Sequence, residues 1–310
     1  MNGEMGIGGA GWLAGACRAA DRLGRGARPP AARSPPDLVT RTAGRVRPFG
    51  VSCRHAPDLN LRAETGAAIH DAYAATYDER VIDGISGHYL PMAARLTPVS
   101  TSLVCDDPRF IDAAQQLLGG PVIPECPEGV LYFAEASWHD DDGIGVRGVK
   151  FAAYFDKLTA ASGALRLVPG SHHPEQNTRL TAYSNRQLPI RTDAEAEAYQ
   201  ASIPGYAAAT TPGDVIAFDL HTWHASFGGQ DRLAWTAVYQ RCPQTGAERD
   251  RTLRSLHDSF EQAFRGFDRD RYPIWRNWLD DAGAHPRRPG VIERMRQAGI
   301  LDLPGAQDGW

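Results

Sequence analysis

The sequence predicts a mainly β protein, a sandwich or barrel core with helices packed outside it. Short runs rich in Val, Ile, Leu, Phe and Tyr crowd the middle of the chain. Gly and Pro punctuate them, as at Pro169-Gly170 and Pro212-Gly213, which is the pattern of strands between turns. Segments with helical spacing flank the strands on both sides, and that order argues for a β core with helices on its faces.

Residues 1–45 are rich in Gly, Ala, Arg and Pro and are broken at Pro29-Pro30 and Pro35-Pro36. They carry no apolar periodicity, so the segment is expected to be a disordered extension. Its Arg-rich, acid-poor composition resembles a transit peptide, but an over-long start, with Met5 or a later residue as the true beginning, is the simpler expectation. Residues 46–310 are read as a single domain, with a β core over about 125–243 and a helical tail over 250–300. Between Glu64 and Glu79, Ile69, Tyr73 and Tyr77 recur every four residues beside Ala72, which predicts a helix. A second helix is predicted from Asp107 to Leu118, with Phe110, Ile111, Ala114, Leu117 and Leu118 on one face. Asp107 caps it, Pro108 opens it and Gly119-Gly120 ends it. Strands are predicted at Gly129–Trp138, Val146–Phe155, Ala164–Val168, Asp214–Leu220 and Leu233–Gln240. In the tail, Asp250–Phe264 offers Leu253, Leu256, Phe260 and Phe264 at helical spacing. Val291–Ile300 forms another helix after a stop at Pro289-Gly290, and Trp275 and Trp278 between the two are expected to pack the tail on the core.

Composition narrows the function. The 310 residues are 42% apolar, enough for a sizeable core. A net charge of −4 and a pI near 6.2 argue against a nucleic-acid or anionic-membrane partner, which would call for a basic chain. Lys150 and Lys157 are the two lysines, and the other basic residues are arginines. Five scattered cysteines without a C-x-x-C indicate neither a zinc knuckle nor a disulfide framework. A reducing cytoplasm is the expected home. No run of eighteen apolar residues occurs, so no membrane span is expected. The mildly apolar stretch over 6–16 has no basic segment before it, so no secretory signal is expected.

Chemistry concentrates in two places. The first is Ser137-Trp138-His139-Asp140-Asp141-Asp142, and the second is Thr222-Trp223-His224-Ala225-Ser226, followed by Arg232. Two imidazoles and one carboxylate on one face of an ion suit Fe(II) and leave positions open for a cosubstrate and O₂. On a strand, residues i and i+2 share a face. Parity therefore pairs His139 with Asp141 and turns Asp140 and Asp142 away, unless the acidic run bends before Gly143. Taken alone, H-x-D is also the pattern of a surface acidic loop beside a half-buried histidine. Val215–Phe218 reads as a buried strand ending near His221 and His224. These two differ in parity, so one regular strand cannot turn both to one ion. His224 is preferred, with His221 as a hydrogen-bonded core or rim residue. Arg232 could clamp a carboxylate with its planar fork. Its rival is Arg241, nine residues on.

The ordered set W-H-x-D (138–141), S-G-A-L-R-L-V-P-G-S-H (162–172), G-D-V-I-A-F-D (213–219), W-H-A-S (223–226) and a downstream Arg resembles the phytanoyl-CoA dioxygenase family. The resemblance covers roughly residues 125–243. It implies a double-stranded β-helix (jelly-roll, cupin-like) core and an Fe(II)/2-oxoglutarate-dependent oxygenase. It implies His139, Asp141 and His224 as iron ligands and Arg232 as the 2-oxoglutarate carboxylate clamp, although the loop from His224 to Arg232 is a few residues shorter than the family's. It also implies Fe(II), 2-oxoglutarate and O₂ as the reacting set, with succinate and CO₂ as products. Asp141 favours hydroxylation over halogenation, because the related halogenases carry a small residue there to admit chloride.

Substrate contacts are expected from the inward face of the first strand, where Glu135, Ser137 and Phe133 share parity with His139. Glu135 could bind an amine or hydroxyl, and Arg147 and Lys150 an anionic group. The P-G-S-H turn, Pro169 to His172, should shape the cavity mouth, and Gly143–Gly148 could form a mobile lip. A long polar loop from His173 to Asn185 suits a small soluble metabolite, in a biosynthetic pathway. Two other classes use the same ligands: a cupin-like metal-binding protein without turnover, and a zinc hydrolase. Neither needs a carboxylate clamp.

Overall fold

A computed structural model describes residues 51–55, 87–91, 98–125, 128–132, 135–141, 145–187, 190, 192–263 and 281–302. The extension expected over 1–45, the helix over 64–79, Phe133, Asp142, the side chain of Phe260, and Phe264, Trp275 and Trp278 lie outside these described residues.

The described strands are β1 (Val51–His55), β2 (Gly87–Pro91), β3 (Val122–Pro124), β4 (Glu128–Tyr132), β5 (Ala136–His139), β6 (Gly148–Tyr154), β7 (Arg166–Leu167), β8 (Tyr206–Ala207), β9 (Asp214–Asp219), β10 (His224–Ser226) and β11 (Arg232–Arg241). The helices are α1 (Pro98–Cys105), α2 (Pro108–Leu118), α3 (Pro174–Gln187), α4 (Asp193–Ser202), α5 (Gly246–Ala263) and α6 (Arg288–Ala298). A large sheet runs β1-β9-β6-β11-β4-β2, with β3 also paired to β11, and a small sheet runs β5-β10-β7-β8. Every pairing is antiparallel. The two sheets pack face to face as a double-stranded β-helix, as the sequence led us to expect.

Strand alternation sorts the apolar residues into three layers. Phe151, Trp235 and Tyr239 point out of the large sheet onto Phe110 and Ile111 of α2 and Met295 of α6. Ala152, Tyr154, Ile216, Phe218 and Ala234 point inward and meet Leu167 of the small sheet. On the far side, Trp138, Trp223 and Ala225 of the small sheet meet Leu180 of α3 and Tyr199 of α4. The last layer is tight: a methyl on Gly205 would lie 1.9 Å from the Trp138 ring, and that indole donates to the Gln200 carbonyl at 3.1 Å.

Helix α2 forms as expected. The Asp107 side chain accepts from the Arg109 N–H, Pro108 opens the first turn, and Gly119 caps the end in the left-handed region at φ 70°. Three expectations are corrected. The single strand expected over Gly129–Trp138 is two, β4 and β5, because the chain crosses from one sheet to the other between them. The polar loop expected over His173–Asn185 lies mostly in α3, whose buried residues are Leu180 and Ser184, too few to mark a helix by apolar spacing. The stop expected at Pro289-Gly290 lies inside the first turn of α6, where proline costs no hydrogen bond. Among the described residues no helix is long and apolar enough to cross a membrane.

Candidate metal centre

In the small sheet, His224 of β10 stands directly opposite His139 of β5. Directly opposed residues project to the same face, and the two imidazole centroids are 4.3 Å apart. Asp141 follows the end of β5, where its N–H donates to the Leu220 carbonyl at 2.9 Å. The chain bends at Asp141, and this bond holds the residue beside the approach to β10. Its Oδ2 lies 3.6 Å from His224 Nε2. One donor atom from each of His139, Asp141 and His224 lies within 4.8 Å of the other two.

The histidines are oriented for binding. His139 Nδ1 is 2.6 Å from the Ser137 carbonyl, and His224 Nδ1 is 2.9 Å from the Thr222 carbonyl. A carbonyl can only accept, so each Nδ1 carries the proton and each Nε2 lone pair is left to the site. Burial pushes the His224 pKa down to about 3, against the pull of the Asp141 carboxylate, so this ring is neutral at physiological pH. The Asp141 side chain is 19% exposed. Desolvation opposes its ionisation, but Lys150 and the two imidazoles outweigh it and hold the carboxyl well below the usual range. A proton-free imidazole nitrogen on each ring and an ionised carboxylate fit a divalent ion.

The neighbouring acids and histidines are turned elsewhere. The Asp140 carboxylate accepts from Asn177 Nδ2 of α3 at 2.7 Å, and the same amide donates to the His221 carbonyl at 3.0 Å. His221 holds the Asp219 carboxylate at 2.9 Å through Nδ1. The P-G-S-H turn is stitched to W-H-A-S: Ser171 Oγ, fully buried, accepts from the Trp223 N–H at 2.8 Å.

Arg232 opens β11 and is 2% exposed. Its Nη1 donates to the Gly163 carbonyl at 3.0 Å and to the Ser226 hydroxyl. Ser226 is two residues from His224 on β10, a step of about 7 Å along a strand. Gly163 adopts φ +84°, and a methyl there would lie 2.6 Å from Arg232 Cδ. The S-G-A-L glycine is therefore what lets the arginine in.

The other sequence candidates are placed differently. Lys150 Nζ lies 3.3 Å from both oxygens of Asp141, as its ion-pair partner. Glu135 precedes β5, and its carboxylate accepts from Gln200 Nε2 and the Gly228 N–H, both at 2.8 Å. That ties α4 to the turn after β10. Arg147 borders a cavity of about 370 Å³ with His172, Asp219 and Arg241, on the outer side of β6 and β9. None of the three metal-centre residues borders that cavity, so Arg241 does not compete with Arg232 for a place beside His224. Gly143 and Ile144 lie outside the described residues, while Gly148 is buried in β6 against Leu220, which removes it from any lip. Sequence reading missed Ser171, Ser226 and Asn177; the first two had a signal, since both sit inside the quoted motifs.

The family model of phytanoyl-CoA dioxygenase (PhyH) matches residues 64–233. A curated L-proline trans-4-hydroxylase of Streptomyces griseoviridis is 35% identical over 78 residues, covering 21% of this chain. That match spans only 29% of the hydroxylase's length. Among solved structures, EctD from S. alaskensis with 2-oxoglutarate and 5-hydroxyectoine is 21% identical over 68% of this chain and 79% of its own, with a TM-score of 0.47. AviO1 from Streptomyces viridochromogenes Tue57 is 20% identical over 66% and 94%, with a TM-score of 0.44.

Proposed function

The chain belongs to the phytanoyl-CoA dioxygenase family of Fe(II)- and 2-oxoglutarate-dependent oxygenases, and we propose that it hydroxylates a small-molecule metabolite, in a biosynthetic pathway. The observation that carries this reading is the convergence of His139, Asp141 and His224 from two segments more than eighty residues apart in sequence. These three would hold Fe(II). Bound iron would supply the redox chemistry by which O₂ oxidises both 2-oxoglutarate, to succinate and CO₂, and a C–H bond, to C–OH, one oxygen atom going to each.

The chain's own residues do the rest. Asp141 offsets one of the ion's two charges, and Lys150 orients its carboxylate through both oxygens. Arg232 would take the distal carboxylate of 2-oxoglutarate, because its guanidinium is buried and planar and bonds to Ser226, one strand step from His224. The Phe218 ring, 5.0 Å from that of His224, gives the inner wall an apolar surface beside the centre. The relative named as a trans-4-hydroxylase supports hydroxylation as the outcome. A cytoplasmic setting goes with the free thiols Cys105 and Cys242.

The test is direct. Purified protein given Fe(II), ascorbate and 2-oxoglutarate is expected to release succinate slowly without substrate. His139→Ala should abolish the release. A wild-type protein that binds metal yet makes no succinate would instead be a metal-binding protein without turnover or a zinc hydrolase.

A further inference from the structure

The inner wall of the large sheet faces the metal centre, and much of it is polar. In the ladder, Arg232, Ala234 and Thr236 of β11 stand opposite Tyr132, Val130 and Glu128 of β4. Ala234 packs in the layer between the sheets, so Thr236 and Glu128, sharing its parity, point inward as well. Most inward polar groups are committed. Arg232 is on Gly163 and Ser226, and Lys150 is on Asp141.

Glu128 is the exception. It accepts one long hydrogen bond, 3.3 Å from Thr236 Oγ1, and among the described residues it makes no ion pair. Glu128 is half-buried, and carboxylates drawn away from water are ordinarily paired or multiply hydrogen-bonded. Across β11, Thr236 stands opposite both Glu128 and Ala152, and Ala152 is two residues along β6 from Lys150, whose ammonium holds Asp141. With Asp141 given to a metal and to Lys150, Glu128 is, among the described residues, the negative charge on this wall that is left without an ion-pair partner.

We propose that Glu128 binds a protonated amine of the substrate, so that the metabolite oxidised here carries an ammonium group. This rests on the oxygenase reading above. A cation suits the position better than a hydroxyl, because it offsets the carboxylate's charge as well as bonding to it. Burial pushes the Glu128 carboxyl up, and an ammonium beside it would restore the ionised form. An acid in this place also sets the substrate's orientation, with the amine against β4 and the carbon to be attacked toward β5 and β10. Glu128 was invisible as a site residue in the sequence, because E-G-V-L-Y belongs to no motif and its direction depends on the register with β11.

The experiment uses the Fe(II)- and 2-oxoglutarate-loaded protein. Succinate release is measured with the proteinogenic L-amino acids, putrescine and glucosamine, each beside its N-acetyl form. At least one free amine is expected to accelerate release about tenfold or more while its N-acetyl form does not. Glu128→Gln should raise the half-saturating concentration of that amine about thirtyfold, with Glu128→Asp recovering part of the loss. Titration calorimetry of the same amine into Ni(II)- and 2-oxoglutarate-loaded protein should show the same loss of affinity. Equal acceleration by the N-acetyl form overturns the proposal. So does an unchanged half-saturation in a Glu128→Gln protein that melts normally. Succinate release that no amine accelerates overturns it while leaving the oxygenase reading standing. No release from the wild type under any condition removes both.

Discussion

Gly163 and Arg232 form one unit: the glycine's missing side chain is the space the arginine's stem fills. Gly163→Ala is therefore expected to displace the guanidinium and raise the half-saturating 2-oxoglutarate concentration by about tenfold or more, the worth of a charge-assisted pair. Metal affinity, read by anaerobic Co(II) titration, should stay as it is. Asn177 works on the other side of the centre, where its amide joins the loop of the first ligand pair to the approach to His224. Asn177→Ala should leave a partly enclosed Asp140 carboxylate without its donor, at a cost of about 1–3 kcal/mol, and should weaken Co(II) binding; an unchanged Co(II) titration would count against this linking role. These residues also mark how far the site could be read from sequence. The convergence of His139 and Asp141 was legible because strand parity is local, and that of His224 because it sits in the W-H-A-S motif. Asn177 and Glu128 were not, since their partners lie 37 to 108 residues away and depend on helix placement and ladder register.

Helix α2 shows what local sequence specifies well. Its cap, proline and glycine stop are all short-range, and all three appear where expected. Asp107→Ala should cost about 1 kcal/mol, visible as a lower melting temperature. Although partial burial raises the Asp107 carboxyl, the bonds from Arg109 outweigh it and hold the pKa below its ordinary value. A lowered folded-state pKa means the cap's contribution is complete above the unfolded value, about 3.9. It fades as pH falls through the folded one. Melts of the wild type and Asp107→Asn between neutral pH and pH 3 should therefore converge; parallel curves would exclude the ionised cap. The division between β4 and β5 was illegible for the opposite reason. No Gly, Pro, Asn or Asp separates β4 from β5 in the sequence, and only the global path of the chain decides that one lies in the large sheet and the next in the small one. Helix α4 carries a local signal of its own, the Thr192–Glu195 capping box, which apolar spacing alone does not reveal.

Across the whole molecule, the metal centre ties β5 to its neighbour β10, which follows it by more than eighty residues. An ion that binds only the assembled site stabilises the fold by mass action, by about 2.7 kcal/mol at a hundredfold excess over Kd. Wild-type protein should thus melt several degrees higher with Co(II) than with a chelator, and Asp141→Ala should lose most of that difference. The two histidines face each other across a single rung of the β5–β10 ladder, and this has a practical corollary for anyone re-engineering the scaffold. Side chains on a strand swap walls with every residue added or removed. A one-residue insertion at 220–223 that shifts β10 would thus send His224 outward and erase the centre in one step.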